Sequence, residues 1–158
     1  VMTVDVDRSQ VYAAEEAAFG GTIHDALTRF EHLERLALVV MALPWWQGPV
    51  IPVVTARADA RSSSARSTRS GIEIRLAPPQ WTPVTLTHEL AHVLAGIDGG
   101  HGPEFRRAHV DIVSVALGEE EGGWLLDAYL GFGLAVPDSD RAVAGAEPPE
   151  RVDGAIAL

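Results

Sequence analysis

Apolar side chains recur along the chain at two periods, and the switch between them separates helices from strands. In residues 7–18, DRSQVYAAEEAA, Val11, Ala14 and Ala18 return at helical spacing with Tyr12 beside them, and Gly20-Gly21 stops the run. Residues 28–43 predict a second helix, with Phe30, Leu33, Ala37 and Val40 on one face and Pro44 at its end. Trp45 and Trp46 follow in the connection WWQG and read as core or surface-capping aromatics. The β-branched stretch 49–56, PVIPVVTA, predicts a short strand, which Pro52 confines to an edge or an irregularity. Residues 57–70 are rich in Ser and Arg, as in a hairpin with a loose loop or a mobile segment. The next stretch, 71–77, alternates cleanly: Ile72, Ile74 and Leu76 point one way, Glu73 and Arg75 the other, as in a half-buried strand.

After APPQW the period returns to helical. Thr82 is placed to cap a helix with Pro83 in its first turn, and Gly96 stops it after Ala95. Gly102-Pro103 launches another to about Leu117, and a third covers about 120–132 with Trp124, Leu125, Ala128 and Phe132 on one face. Residues 137–158, rich in Pro, Ala and acids, predict a flexible tail. This order predicts one α+β domain over residues 1–136: a small mixed or antiparallel sheet packed on the 83–95 helix, with flanking helices.

Composition removes whole chemistries. The 158 residues contain no cysteine, which excludes disulfides, thiol nucleophiles and cysteine-bound metal. All twelve basic residues are arginine, so a phosphate-loop or Schiff-base lysine is excluded too. A net charge of −10 repels nucleic-acid phosphates, and strong nucleic-acid binding is not expected. The charge is uneven, however. Arg57, Arg61, Arg66, Arg69 and Arg75 share a stretch whose only acids are Asp59 and Glu73. It reads either as a solvated hairpin face or as a contact surface for an acidic partner. No apolar run is long enough to span a membrane, and VMTVDVDRSQ lacks the pattern of a secretory leader, so a cytoplasmic protein is expected.

His88-Glu89-Leu90-Ala91-His92 is an H-E-x-x-H motif on the 83–95 helix. At about 100° per residue His88 and His92 lie about 40° apart, one turn above the other, so both imidazoles can meet one ion. Glu89 lies about 60° beyond His92, where a carboxylate can take a proton from water at that ion. Leu86, Leu90, Val93 and Leu94 occupy the opposite side and predict the core-facing stripe. Nine residues after His92, the glycines at 96, 99 and 100 let the chain turn back and bring His101 to the same ion. Three imidazoles suit one zinc ion with water in the fourth position. Asp98 and Glu104 are candidates for a fourth ligand, or for orienting a ligand histidine through its second nitrogen. His109, on a face with Phe105 and Ile112, reads as a satisfied core histidine, and His24 and His32 show no partner pattern.

HELAH followed by a short glycine-containing turn and GHGPEF resembles the SprT-like metallopeptidases, which include Spartan, and the related WLM group, over about 25 residues. DRSQVYAAEE and LPWWQGPV extend a looser resemblance to small single-domain metallohydrolases of actinobacterial type. The resemblance implies a zincin-like fold, zinc on His88, His92 and His101, and Glu89 as general base of a peptidase. The chain departs from it in having neither a cysteine zinc ribbon nor basic DNA-binding segments. It departs from metzincins in carrying Asp98 where their third histidine stands. A glutamate ligand from a later helix would have to be Glu119, Glu120 or Glu121.

As a peptidase, the protein needs a second donor to the oxyanion, for which Arg106, Arg107 and Tyr129 are the candidates. An extended substrate peptide is expected along the sheet, beside Ile72–Leu76. Two other readings use the same site. One is a zinc-holding module that binds a peptide or partner without turnover. The other is a regulatory peptidase of the ImmA/IrrE-like type, specific for one protein partner, although no helix-turn-helix companion is visible. The intact Glu89 favours an enzyme.

Overall fold

The computed structural model describes residues 4–47 and 50–141. Among them are five helices and a three-stranded sheet: α1 (Arg8–Phe19), α2 (Phe30–Met41), β1 (Val53–Thr55), β2 (Ser64–Thr68), β3 (Gly71–Leu76), α3 (Pro83–Ala95), α4 (Pro103–Ala116) and α5 (Glu119–Gly131). Short 3-10 turns occupy Ile23–Asp25 and Pro78–Gln80. The fold is α+β, and none of the helices is long and apolar enough to cross a membrane.

The sheet is mixed, in the order β1-β3-β2. β1 runs parallel to β3 and is much shorter than the apolar stretch 49–56 suggests. Pro52 contributes only its carbonyl, which accepts from the N–H of Ile74 at 2.9 Å, so the proline sits where no donor is needed. Residues 48 and 49 lie outside the described residues. The Ser/Arg-rich stretch forms β2 and the turn of an antiparallel hairpin, with Ala65 opposite Ile74 and Arg66 opposite Glu73. β3 is the central strand, paired on both sides; the unpaired edges belong to β1 and β2.

Ile74, Leu76, Leu86, Leu90, Phe105 and Ile112 are buried between the inner face of the sheet and the helices. Each such side chain removed from water contributes about 1.5–3 kcal/mol. α3 begins and ends as its sequence demands. The Thr82 hydroxyl accepts from the Thr85 N–H at 3.1 Å, Pro83 occupies the first turn, and Gly96 leaves the helix at φ 108°, where glycine is favoured.

Two helices are rotated from their expected faces. In α1 the buried residues are Val11, Ala14, Glu15 and Phe19, while Tyr12 is 46% exposed. Phe19, one turn beyond Glu15, is the larger anchor and turns the stripe away from Tyr12. In α5 the buried positions are Gly122, Leu125 and Tyr129, whereas Trp124 and Phe132 are partly exposed. Gly122 allows α5 to lie directly on Ser114 of α4; a Cβ there would come within 3.1 Å of the Ser114 Cα.

The chain is also tied beyond residue 136, where the tail was expected to begin. Arg107 donates to the Pro137 carbonyl at 3.0 Å, and Ser139 and Arg141 both donate to the Asp111 carboxylate. Residues 142–158 of the expected tail lie outside the described residues.

Candidate metal centre

The turn after α3 brings His101 back onto the face that carries His88 and His92. Its Nε2 lies 3.1 Å from Nε2 of His88 and 3.2 Å from Nε2 of His92. Nitrogens bound tetrahedrally to zinc at about 2.05 Å stand about 3.3 Å apart, so the three rings are spaced for one ion. Phe105 packs beneath them, its ring centroid 4.5–5.0 Å from all three imidazoles. The donor set fits zinc: three neutral nitrogens and no fourth side-chain ligand among the described residues.

The far nitrogens of two of these rings are held by carboxylates from the start of the chain. His88 Nδ1 lies 2.8 Å from Oε1 of Glu15, which is buried in α1, and His101 Nδ1 bonds Asp5. With Nδ1–H donating to a carboxylate, each ring turns an Nε2 lone pair toward the common point. Gly100 makes room for Asp5: it has φ +65°, and a Cβ there would lie 3.2 Å from the carboxyl carbon. Glu15 also lies 3.4 Å from Nε2 of His109, whose Nδ1 bonds the Tyr129 hydroxyl at 2.6 Å. Glu15, His88 and His109 form a second group close enough to hold an ion. The 2.8 Å contact is that of a hydrogen bond, however, and an ion there would have to displace the proton on Nδ1 of His88. We therefore read this group as support for His88.

Burial and charge act oppositely on these rings. Burial, reinforced by the neighbouring His88 and His101, pushes His92 down to about 3. It lowers His101 as well, against the pull of Asp5. Burial also works against a proton on His88, but the Glu15 carboxylate and Glu89 outweigh it and raise that pKa. The pocket thus favours a positive charge facing Glu15, and a metal ion at Nε2 would supply it.

Glu89 lies in the wall of a cavity of about 500 Å³ that also exposes His88, Arg8, Tyr12, Ser62 and Ser63. Burial raises the Glu89 pKa, while the charge on His88 and the backbone N–H of Ala65 in β2 oppose that rise. The Tyr12 ring stacks on His88 at 5.2 Å and 12°, with the Arg8 guanidinium 5.8 Å from its centroid.

Several residues singled out in the sequence lie elsewhere. Asp98 and Glu104 are exposed, and the orienting role considered for them falls to Glu15 and Asp5. Arg106 is buried with its bonds spent on Asp7, the His101 carbonyl and the Ala135 carbonyl, so it braces the ligand loop instead of facing the cavity. Arg107 pairs with Asp111, and Tyr129 is buried against His109. Glu119 and Glu120 are exposed and Glu121 contacts His24, so none joins the three histidines. His109 is fully buried, as expected of a core histidine, but it is not fully satisfied: only its Nδ1 is hydrogen-bonded, and its Nε2 stands 3.4 Å from Glu15 without a hydrogen bond.

Sequence reasoning missed Asp5, Glu15, Arg8 and Tyr12. Only Glu15 left a signal: it shares the stripe of Val11 and Phe19, where a carboxylate is out of place unless it has a partner. Comparison of the chain with family models, curated proteins and solved structures finds no match.

Proposed function

We propose that the protein is a zincin-like zinc metallohydrolase that cleaves peptide bonds. The observation that carries this reading is the convergence of three Nε2 atoms, one of them on His88, which lines an open cavity together with Glu89. His88, His92 and His101 would hold the ion, which supplies Lewis acidity toward a water and the scissile carbonyl. Glu89, raised by burial toward the range of a useful base, takes the proton from the attacking water and passes it to the leaving amine. Tyr12 takes the place of Arg106, Arg107 and Tyr129 as donor to the developing oxyanion, because it lines the cavity and stacks on a ligand ring. Arg8 beside it adds positive charge.

The substrate strand adds at β2: β3 has no free edge, and of the two edge strands β2 is the one that follows Ser62 and Ser63 of the cavity wall. Whether the peptidase acts broadly or on one protein partner follows from the surface around that edge. The test is a proteome digest by the zinc-loaded protein and by its Glu89→Gln variant. The variant should retain one zinc per chain and lose turnover; equal cleavage by both would remove Glu89 from the mechanism, and absence of zinc from the wild type would remove the reading as a whole.

A further inference from the structure

The arginines of residues 57–75 are not accounted for by the metal centre. Of the chain's twelve arginines and twenty-two acids, five and two lie here, leaving seven against twenty elsewhere. The hairpin is thus a positive pole on an acidic protein. It is also firmly built. The Ser63 N–H donates to Gln80 at 2.7 Å, its hydroxyl accepts from the Ala77 N–H at 2.9 Å, and the Thr68 hydroxyl closes the turn onto the Gly71 carbonyl at 2.8 Å.

Arg66, Glu73 and Arg75 share the outer face of the sheet. Glu73 Oε1 accepts from Nε of both arginines and pins the two guanidinium groups side by side. Among the described residues their terminal nitrogens have no hydrogen-bond partner, which leaves both forks open to a carboxylate. Arg61 and Arg69 are exposed with no acidic partner among the described residues. The hairpin borders the site along the chain: Arg61 directly precedes Ser62 and Ser63 in the cavity wall, while Arg66 and Arg75 stand on the sheet face opposite the buried Ile74.

We propose that the arginine face of the hairpin recognises an acidic stretch of the substrate, so that the site acts on protein segments in which a run of Asp or Glu flanks the cleaved bond. The proposal rests on the peptidase reading for the cleavage and on charge complementarity for the recognition. Nucleic acid is the other abundant polyanion. Residues 57–75 contain no aromatic side chain on which a base could stack, and the rest of the chain is strongly acidic.

The test is fluorescence anisotropy with the full-length Glu89→Gln protein and a labelled Gly/Ser peptide carrying a run of glutamates. A lysine counterpart and an oligothymidylate serve as competing probes. The glutamate peptide should bind, more weakly as salt rises, and Arg61→Glu with Arg69→Glu should weaken it about tenfold. Equal binding of the glutamate and lysine peptides, no effect of charge reversal, or tighter binding of the oligonucleotide would each overturn the proposal. The proteome digest separates it from the peptidase reading: cleavage at sites without acidic neighbours overturns the recognition alone. Acidic-peptide binding by a protein that cleaves nothing leaves the recognition surface standing and removes the peptidase.

Discussion

Glu15 offers the sharpest quantitative test of how the centre is built. It is buried in α1, seventy-three positions from His88, and accepts from that ring at 2.8 Å. Glu15→Gln keeps the size and an accepting oxygen but removes the charge. A hydrogen bond to a charged group contributes about 1.5–3 kcal/mol and a neutral one about 0.5–1.5 kcal/mol. The difference, about 1–1.5 kcal/mol, corresponds to roughly tenfold weaker zinc binding, at the lower end of the 10–100-fold usual for partners of ligand histidines. At zinc equal to a hundred times the wild-type Kd, binding stabilises the wild type by about 2.7 kcal/mol and such a variant by about 1.4 kcal/mol. For a domain of this size that difference lowers the zinc-induced rise in Tm by about 4 °C. Competition with a chromophoric chelator gives Kd directly, and melting curves with and without zinc give the linkage. A variant that binds zinc within twofold of wild type, with an unchanged zinc-induced Tm shift, would refute the claim that Glu15 sets the centre's affinity.

Three further outcomes are expected. Tyr12→Phe should lower kcat about a hundredfold while KM and zinc content stay near wild type; wild-type turnover would return the search to another donor. Gly122→Ala should destabilise the fold by about 1–3 kcal/mol in urea unfolding, because its Cβ would press on the Ser114 side chain and approach its Cα; wild-type stability would mean that α5 can shift away from α4 at no cost. For the zinc-free protein, urea midpoints should fall as pH drops from 6.5 toward 5. His92, His101 and His109 all have lowered folded pKa values, so the unfolded chain binds protons first and stability is lost below the unfolded value near 6.5. His88, whose folded pKa is raised, is protonated in both states below that value and contributes a constant there, its stabilisation being lost only as pH rises through the folded pKa. A flat profile between pH 6.5 and 5 would contradict the burial of these rings.

The elements most legible in the sequence are those in which local and global signals agree. α3 has its cap, its proline, its apolar stripe and its terminal glycine in register, and its histidines fall where the helical wheel puts them. β3 shows by its alternation which face is buried. The faces of α1 and α5 were less legible, because Tyr12 and Trp124 look apolar by residue type while the cavity and the solvent claim them. β2 was obscured because an edge strand whose partly buried residues, Ala65 and Thr68, stand three positions apart carries no period-two pattern. The supporting groups of the centre were hidden for a different reason: Asp5 and Glu15 meet their histidines across ninety-six and seventy-three positions, and no local pattern encodes such a contact. Arg106 misled because its motif neighbours suggested chemistry, whereas its burial and three hydrogen bonds show a brace.

The histidines that converge at the centre occupy one short stretch of chain, whereas the carboxylates that orient two of them come from around α1. The consequence concerns transplantation. Moving residues 88–101 alone into another scaffold would carry over the recognisable motif and leave its electrostatics behind. Such a graft would present imidazoles with undetermined tautomers, and its zinc affinity should fall by one to two orders of magnitude for each missing carboxylate. A copy of this centre that can hold a metal needs the opening helix as well, so the smallest unit expected to do so is most of the domain.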